Sequence, residues 1–174
     1  MEINTDLEYI KKMASIKEEE NWEFRSFLKQ LDLSPEELDA IVHKINDEVT
    51  SQIDCTKCAN CCKKIRPILD EEDAATFARG LKIPVAEFKE RYLLHDQENG
   101  LKYRFNGLPC PFLKNKRCSN YAFRPRDCRE YPHLQKEEFV FRLMGVISNY
   151  EICPIVFNVY EQLKTELWKN RRRI

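Results

Sequence analysis

Four cysteines within eight residues constrain this chain more than any other feature of its sequence. They are Cys55, Cys58, Cys61 and Cys62, spaced as C-x2-C-x2-C with the fourth directly adjacent. Two intervening residues allow a turn in which both sulfurs face one ion, and a single C-x2-C pair is typical of zinc sites. Three cysteines at this spacing can also form a tripod on a cubane iron–sulfur cluster, with a distant cysteine as the fourth ligand.

The other four cysteines are candidates for the distant ligand. They are Cys110, Cys118, Cys128 and Cys153, and the first and last of them each precede a proline, as remote cluster ligands often do. Adjacent Cys61 and Cys62 fit one small ion poorly, so one of them serves a second metal, supports a ligand or is a reactive thiol. At about four ligands per ion, eight cysteines suffice for two sites. We therefore predict all eight as metal ligands, for an iron–sulfur cluster or zinc, and the tripod spacing favours iron.

The chain has the features of a cytoplasmic protein. Its first ten residues carry Glu2, Asp6 and Glu8 where a secretory signal would carry basic and then apolar residues. No apolar run approaches the roughly 18 residues of a membrane span. Because cytoplasmic thiols stay reduced, metal binding is favoured over a disulfide framework.

Charge and glycine content exclude two classes of function. The 29 basic and 29 acidic residues balance, so the positive surplus of a nucleic-acid-binding protein is missing and no nucleic-acid partner is expected. The four glycines are too widely spaced for a P-loop or a dinucleotide fingerprint. The partner class that stays open is a protein or a peptide.

Hydrophobic periodicity predicts mostly helices. Phe24, Phe27 and Leu28 share one helical face. Ser34, Pro35 and Glu37 form the signature of a helix start, acidic residues 70–73 begin another helix that is expected to stop at Gly80, and Pro84 opens a third. A last helix is predicted after Pro154.

Two segments have side-chain patterns that are typical of strands. Residues 101–105 alternate apolar and polar side chains, and residues 139–147 are rich in Phe, Val and Ile. The predicted fold is α+β and mostly α-helical: a single compact domain with a small two-stranded element, built around a cysteine-ligated metal centre. Residues 1–50 are predicted to be a helical segment packed on a cysteine-cluster domain of residues 51–174.

Basic and aromatic side chains surround Cys128 in the sequence. Arg124, Arg126 and Arg129 can offset the negative charge of a thiolate–metal centre. Tyr121 and Tyr131 are expected to pack over the centre and exclude water. We predict Arg124, Arg129 and Tyr131 as residues that contact the bound group.

Three stretches resemble the CxxCxxCC family of YkgJ-like cysteine-cluster proteins. They are residues 55–62, residues 108–118, and the segment that contains Tyr121, Arg124-Pro125, Cys128-Arg129 and Tyr131-Pro132. The resemblance extends over about residues 50–155, with the helix pair of residues 71–94 as the family's usual insert. It implies a centre that holds zinc, iron or an iron–sulfur cluster. Some relatives are known as flagellin lysine N-methylases, which implies that the fold can support an enzyme.

Three functions follow as hypotheses. The first is a small metal- or cluster-binding protein that acts in metal handling, redox chemistry or sensing. The second is a metal-dependent enzyme that modifies a protein or peptide. The third is a structural zinc module for protein interaction, which would present residues 1–50 to a partner.

Overall fold

The computed structural model describes residues 3–96, 100 and 102–169, and these residues are mostly helical with small antiparallel sheets. The α-helices there are α1 Leu7–Ile16, α2 Glu18–Gln30, α3 Pro35–Thr50, α4 Asn60–Lys64, α5 Glu71–Leu81, α6 Val85–Tyr92, α7 Arg126–Glu130, α8 Leu143–Tyr150 and α9 Pro154–Leu163. The strands are β1 Ile68–Leu69, β2 Leu93–Asp96, β3 Lys102–Phe105, β4 Leu113–Lys114 and β5 Arg117–Cys118. The 3₁₀ turns are Cys55–Lys57, Tyr121–Phe123 and Phe139–Arg142, and a π-helical turn, Lys164–Lys169, continues α9.

Contacts divide the chain into two compact units. The helical unit consists of Met1–Asp54 with Pro132–Ile174, and the cysteine unit is Cys55–Tyr131. The division at residue 50 predicted from the sequence stays a prediction. Cys55 is the first residue of the cysteine unit, which contains seven of the eight cysteines.

The helical unit has a core between α3 and α9. The start of α3 is fixed as predicted, because Ser34 and Glu37 form a reciprocal capping box with Pro35 in the first turn. Its buried face consists of Leu38, Val42, Ile45 and Val49, at most 3% exposed. Every residue of α9 except Glu161 and Gln162 is buried. Burial of both faces explains the continuous apolar character of that helix.

A three-stranded sheet and α5 form the core of the cysteine unit. The strand order is β1-β3-β2, with both pairs antiparallel, and β4 and β5 form a separate hairpin. Phe77 of α5 packs against Phe88, Phe105 and Phe112, with ring centroids 4.7–5.4 Å apart. Asp70 and Asp73 form the capping box that begins α5, so the predicted acidic start is confirmed.

Two sequence predictions are wrong. Residues 139–147, expected to form a strand, are a 3₁₀ turn followed by α8. The strands paired with β3 are β1 and β2 instead. The predicted two-stranded element is therefore a three-stranded sheet, accompanied by a separate hairpin. Gly80 does not end α5, which continues to Leu81 and is capped by left-handed Lys82 with φ 58°. Gly80 is instead a point of close approach: an added Cβ would lie 2.3 Å from Oδ1 of Asn120 and 2.5 Å from the ring of Phe123.

No helix in the described part of the chain combines the length and the apolar character needed to cross a bilayer.

Candidate metal centre

The cysteine motif folds into two short turns joined by a strained residue. Cys55 begins a 3₁₀ turn, and the N–H of Cys58 donates to the carbonyl of Cys55 at 3.2 Å. Ala59 then adopts left-handed backbone angles, φ 54° and ψ 17°, and α4 carries Cys61 and Cys62. Left-handed geometry is uncommon for a residue with a Cβ, and such strain is found where function fixes a loop.

Three separate elements bring distant cysteines into the same unit. Cys110 is tied to the motif directly, because its backbone N–H donates to the carbonyl of Cys62 at 2.7 Å. Cys118 lies on β5, opposite Leu113 of the hairpin. Cys128 lies on α7, whose first residue, Arg126, donates its N–H to Asp73 of α5 at 2.8 Å.

The thiol of Cys62 is more acidic than an ordinary cysteine. Its pKa is lowered to about 7, first because the thiol of Cys61 donates a hydrogen bond to its sulfur. Burial opposes this effect, and the positive charge of Arg124 and the backbone N–H of Cys62 itself add to it. A thiolate is the form that binds metal, so this residue is prepared for ligation near neutral pH.

The thiols of Cys110, Cys118 and Cys128 are half-buried and influence one another's ionisation. Burial raises the pKa of Cys110 to about 11, and it also raises the pKa values of Cys118 and Cys128. Negative charge on neighbouring thiols raises these pKa values further. Cys62 raises the pKa values of Cys110, Cys118 and Cys128. Cys118 also raises the pKa of Cys110, and Cys110 and Cys118 each raise the pKa of Cys128. Every pair among Cys62, Cys110, Cys118 and Cys128 therefore interacts electrostatically, and a bound cation would relieve that repulsion.

Backbone N–H groups point at two of these sulfurs. The sulfur of Cys110 accepts hydrogen bonds from the N–H groups of Phe112 and Leu113, and that of Cys118 accepts one from Asn120. Such bonds orient and tune thiolates in metal and iron–sulfur centres. The turns after Cys110 and Cys118 thus provide the supporting contacts that this class of site uses.

The predicted basic and aromatic residues lie around the same segment. The guanidinium carbon of Arg124 lies 3.4 Å from the centroid of the Tyr121 ring, and its Nε donates to the Tyr121 carbonyl at 3.0 Å. Its positive charge contributes to the lowered pKa of Cys62 and partly offsets the burial that raises the pKa of Cys118. The guanidinium of exposed Arg129 donates to the carbonyl of Arg124 at 2.7 Å. Tyr131 is half-buried and is the C-cap residue that follows α7. Arg124 therefore acts on the thiols directly, and Arg129 holds the loop of Arg124.

Cys153 is the one predicted ligand outside the cysteine unit. It is 6% exposed and precedes α9 in the helical unit, where its N–H donates to the carbonyl of Asn149 at 2.9 Å. The structure thus groups Cys62, Cys110, Cys118 and Cys128, and Cys61 is hydrogen-bonded to Cys62. Coordination itself is not formed: within residues 3–96, 100 and 102–169, no three Cys, His, Asp or Glu side chains are arranged to hold a metal ion.

The sequence interpretation missed three residues that position the cysteines. Asp127 accepts the N–H of Ile68 at 2.9 Å and so ties α7 to β1. Buried Asn120 donates to the carbonyl of Phe77 at 2.9 Å. Asp73, read only as part of a helix start, also holds α7. The position of Asp127 and Asn120 beside Cys128 and Cys118 is the pattern that could have indicated them.

A comparison with known protein families decides the family of the chain. The family "CxxCxxCC: Putative zinc- or iron-chelating domain" matches residues 54–144, just over half of the sequence. The chain belongs to this family. The resemblance inferred from the cysteine spacing is confirmed. No curated protein and no solved structure matches the chain significantly.

Membership in the CxxCxxCC family supports metal binding, with zinc or iron as the metal. The chemistry of the donor set fits either ion, since thiolates are the soft ligands that zinc and iron–sulfur clusters take. Half-buried sulfurs, backbone donors and the neighbouring guanidinium of Arg124 suit a negatively charged thiolate centre.

Proposed function

We propose that this protein binds iron, as an iron–sulfur cluster, through a thiolate site centred on Cys62, Cys110, Cys118 and Cys128. The observation that carries the proposal is the mutual electrostatic effect among these four half-buried thiols, beside a guanidinium group. Four thiols without a cation would repel one another as they ionise, whereas a bound metal converts that repulsion into binding free energy.

The motif loop supplies the other donors. Cys55, Cys58 and Cys61 have the tripod spacing that favours a cluster over a single zinc ion. Cys61 already donates a hydrogen bond to Cys62. Because four thiolates complete the coordination of one cluster, we propose that these three sulfurs serve a second metal, and that Arg124 offsets the charge of the centre while Arg129 and Tyr131 support it.

The proposed role is the handling or sensing of metal or clusters in the cytoplasm, where thiols stay reduced. Cys55 is exposed whereas Cys61 and Cys62 are half-buried, so the centre is reached from the side of Cys55. An exposed thiolate can exchange its metal with a partner's thiols, which a closed structural zinc site resists. The enzyme and structural-module hypotheses stay predictions from the sequence.

Metal content of variants tests the proposal. We expect Cys62→Ser and Cys58→Ala to lose most bound metal and to unfold at lower temperature than wild type, because metal binding and folding are coupled. Thr56→Ser is the matched control, since it changes a side chain of the same loop without removing a sulfur. The metal is measured by elemental analysis of protein purified without oxygen.

Two outcomes would contradict the proposed site. Full metal content in Cys62→Ser would show that the group of four thiols is not the centre. Loss of metal in the Thr56→Ser control as well would show that the motif loop responds to any change, so the sulfur would not be the cause.

A further inference from the structure

Both tryptophans of the chain line one groove on the helical unit. The groove has a volume of about 620 Å³ and is lined by Glu19, Trp22, Glu23, Ser26, Phe27, Gln30 and Trp168. Six of these residues belong to α2, and Trp168 belongs to the π-helical turn after α9. The groove is broad and open to solvent, so it suits a chain laid along its surface better than an enclosed small molecule. This site is independent of the proposed metal centre, because none of its residues belongs to the cysteine unit.

Aromatic rings form the floor and one wall. Trp168, only 9% exposed, stacks on Phe24 at 5.6 Å and on Phe27 at 6.3 Å, with interplanar angles of 29° and 28°. Trp22 is 39% exposed, which is unusual for so large an apolar side chain. Trp168 is therefore packed against stacked rings, while Trp22 still offers apolar surface to a ligand.

Two carboxylates line the groove. Glu19 and Glu23 are one helical turn apart, both exposed, and both line it. Glu19 belongs to the acidic first turn of α2, together with Glu18 and Glu20, and Glu23 follows that turn. Because like charges at this spacing destabilise a helix, an opposite charge placed between Glu19 and Glu23 is favourable.

Acidic groups beside aromatic faces select for cations. A lysine or arginine side chain gains cation–π attraction from a tryptophan ring and an ion pair from a carboxylate. Trp22 already accepts such a group within the chain, since the guanidinium of Arg25 lies 5.6 Å from its ring centroid.

The dimensions indicate a peptide rather than a single cation. Residues 19 to 30 of α2 span about 17 Å at 1.5 Å per residue. An extended chain covers that distance in about five residues. Ser26 and Gln30, at the end of the groove away from Glu19, can hydrogen-bond a peptide backbone.

We propose that this groove binds an extended, lysine- or arginine-rich segment of a partner protein. A basic side chain of the segment lies against Trp22 and pairs with Glu19 and Glu23, and the flanking residues follow α2 toward Gln30. The charge complementarity of the groove and its aromatic lining carry the proposal.

Intrinsic fluorescence tests the proposal directly, because Trp22 and Trp168 are the only tryptophans. Titration of the full chain with a blocked pentalysine peptide is expected to give a saturable change in emission that weakens as salt is added. A blocked pentaglutamate peptide should give none. No saturable change with pentalysine, or an equal change with pentaglutamate, would overturn the proposal.

Matched variants separate the groove from general attraction of positive charge. We expect Glu19→Gln/Glu23→Gln to weaken pentalysine binding about tenfold, since two exposed ion pairs are lost. Glu36→Gln/Glu48→Gln removes the same charge from exposed sites on α3 and should bind as wild type does. Equal weakening in both double variants would show nonspecific attraction and refute the site.

Two other occupants give distinct results. If a second copy of the chain fills the groove, sedimentation without peptide will show a dimer that Glu19→Gln/Glu23→Gln disrupts. If the chain's own Arg171, Arg172 and Arg173 fill it, pentalysine will bind only after these three residues are replaced by serine. Either result would overturn the assignment to a partner's segment.

Discussion

A buried lysine in the helical unit allows a quantitative test of the structure. The side chain of Lys164 is 0% exposed, and its Nζ lies 2.7 Å from Glu161 and 2.8 Å from Glu20. Glu161 also accepts hydrogen bonds from Lys17 and, at 2.8 Å, from the hydroxyl of Tyr150. Glu161 and Glu20 are partly exposed, at 20% and 34%. The two members of the Lys164–Glu161 pair therefore differ in access to water.

This difference predicts unequal costs for two single substitutions. Glu161→Gln leaves the ammonium of Lys164 buried with Glu20 as its remaining charged partner, and breaking a buried pair costs about 3–5 kcal/mol. Because Glu20 remains, we expect about 2–3 kcal/mol of lost stability. Lys164→Met leaves no buried cation, and Glu161 keeps Lys17 and Tyr150. The carboxylates that remain, Glu161 and Glu20, are partly exposed and stay solvated, so no unpaired charge is left fully buried and a cost of about 1 kcal/mol or less is expected.

Urea unfolding at pH 7, followed by tryptophan fluorescence, measures both costs, since both tryptophans lie in the helical unit. Exposed Lys29→Met is the control and should change the free energy of unfolding by less than about 0.5 kcal/mol. A cost of Lys164→Met equal to or larger than that of Glu161→Gln would refute the reasoning that burial of the lysine governs the network.

Three further predictions follow. Gly80→Ala should lower the melting temperature and the amount of bound metal, because the new Cβ would lie 2.3 Å from Oδ1 of Asn120. Overpacking of this kind costs about 1–3 kcal/mol, which calorimetry and metal analysis can detect. Asp73→Asn should speed hydrogen exchange at the Arg126 amide about tenfold, because the neutral amide accepts that hydrogen bond less strongly. Burial would raise the pKa of Glu161, but hydrogen bonds from Lys164 and Lys17 outweigh it and lower that pKa. The stability that ionised Glu161 contributes is therefore full above the unfolded pKa of about 4.3 and is lost as the pH falls through the lower folded pKa. In acid unfolding, the free energy of unfolding should fall more steeply with pH in wild type than in Glu161→Gln.

Helix starts were predictable because their cause is local. Ser34 with Glu37, and Asp70 with Asp73, satisfy backbone donors within four residues, and both caps form as the sequence indicates. The alternation of residues 101–105 likewise predicts β3, whose described residues are 102–105; residue 101 lies outside the described part.

Tertiary contacts decided the features that the sequence did not reveal. Residues 139–147, rich in Phe, Val and Ile, form helical turns because Asp39 accepts the N–H groups of Glu138 and Phe139, at 2.6 and 2.9 Å, and thereby begins a helical turn there. That partner is about 100 residues away, so no local pattern indicates it. At the end of α9 the change to π-helical geometry buries Trp168 and leaves Leu167 only half-buried, contrary to a simple 3.6-residue period.

The candidate site was predictable in its residue types more than in its grouping. The spacing indicated Cys55, Cys58 and Cys61 as the tripod, whereas the structure groups Cys62 with Cys110, Cys118 and Cys128. That grouping depends on the hairpin of β4 and β5 and on α7, which long-range hydrogen bonds tie to β1 and α5. Cysteine counting alone contains no such information.

The most direct test of the account is the composition of the protein purified without oxygen. Absorption spectroscopy, with elemental iron and zinc and acid-labile sulfide, distinguishes the bound groups. The account predicts a brown protein that contains iron and sulfide in equal amounts. A colourless protein with one or two zinc ions would contradict the iron–sulfur assignment, and a protein that binds neither metal would contradict the metal centre itself.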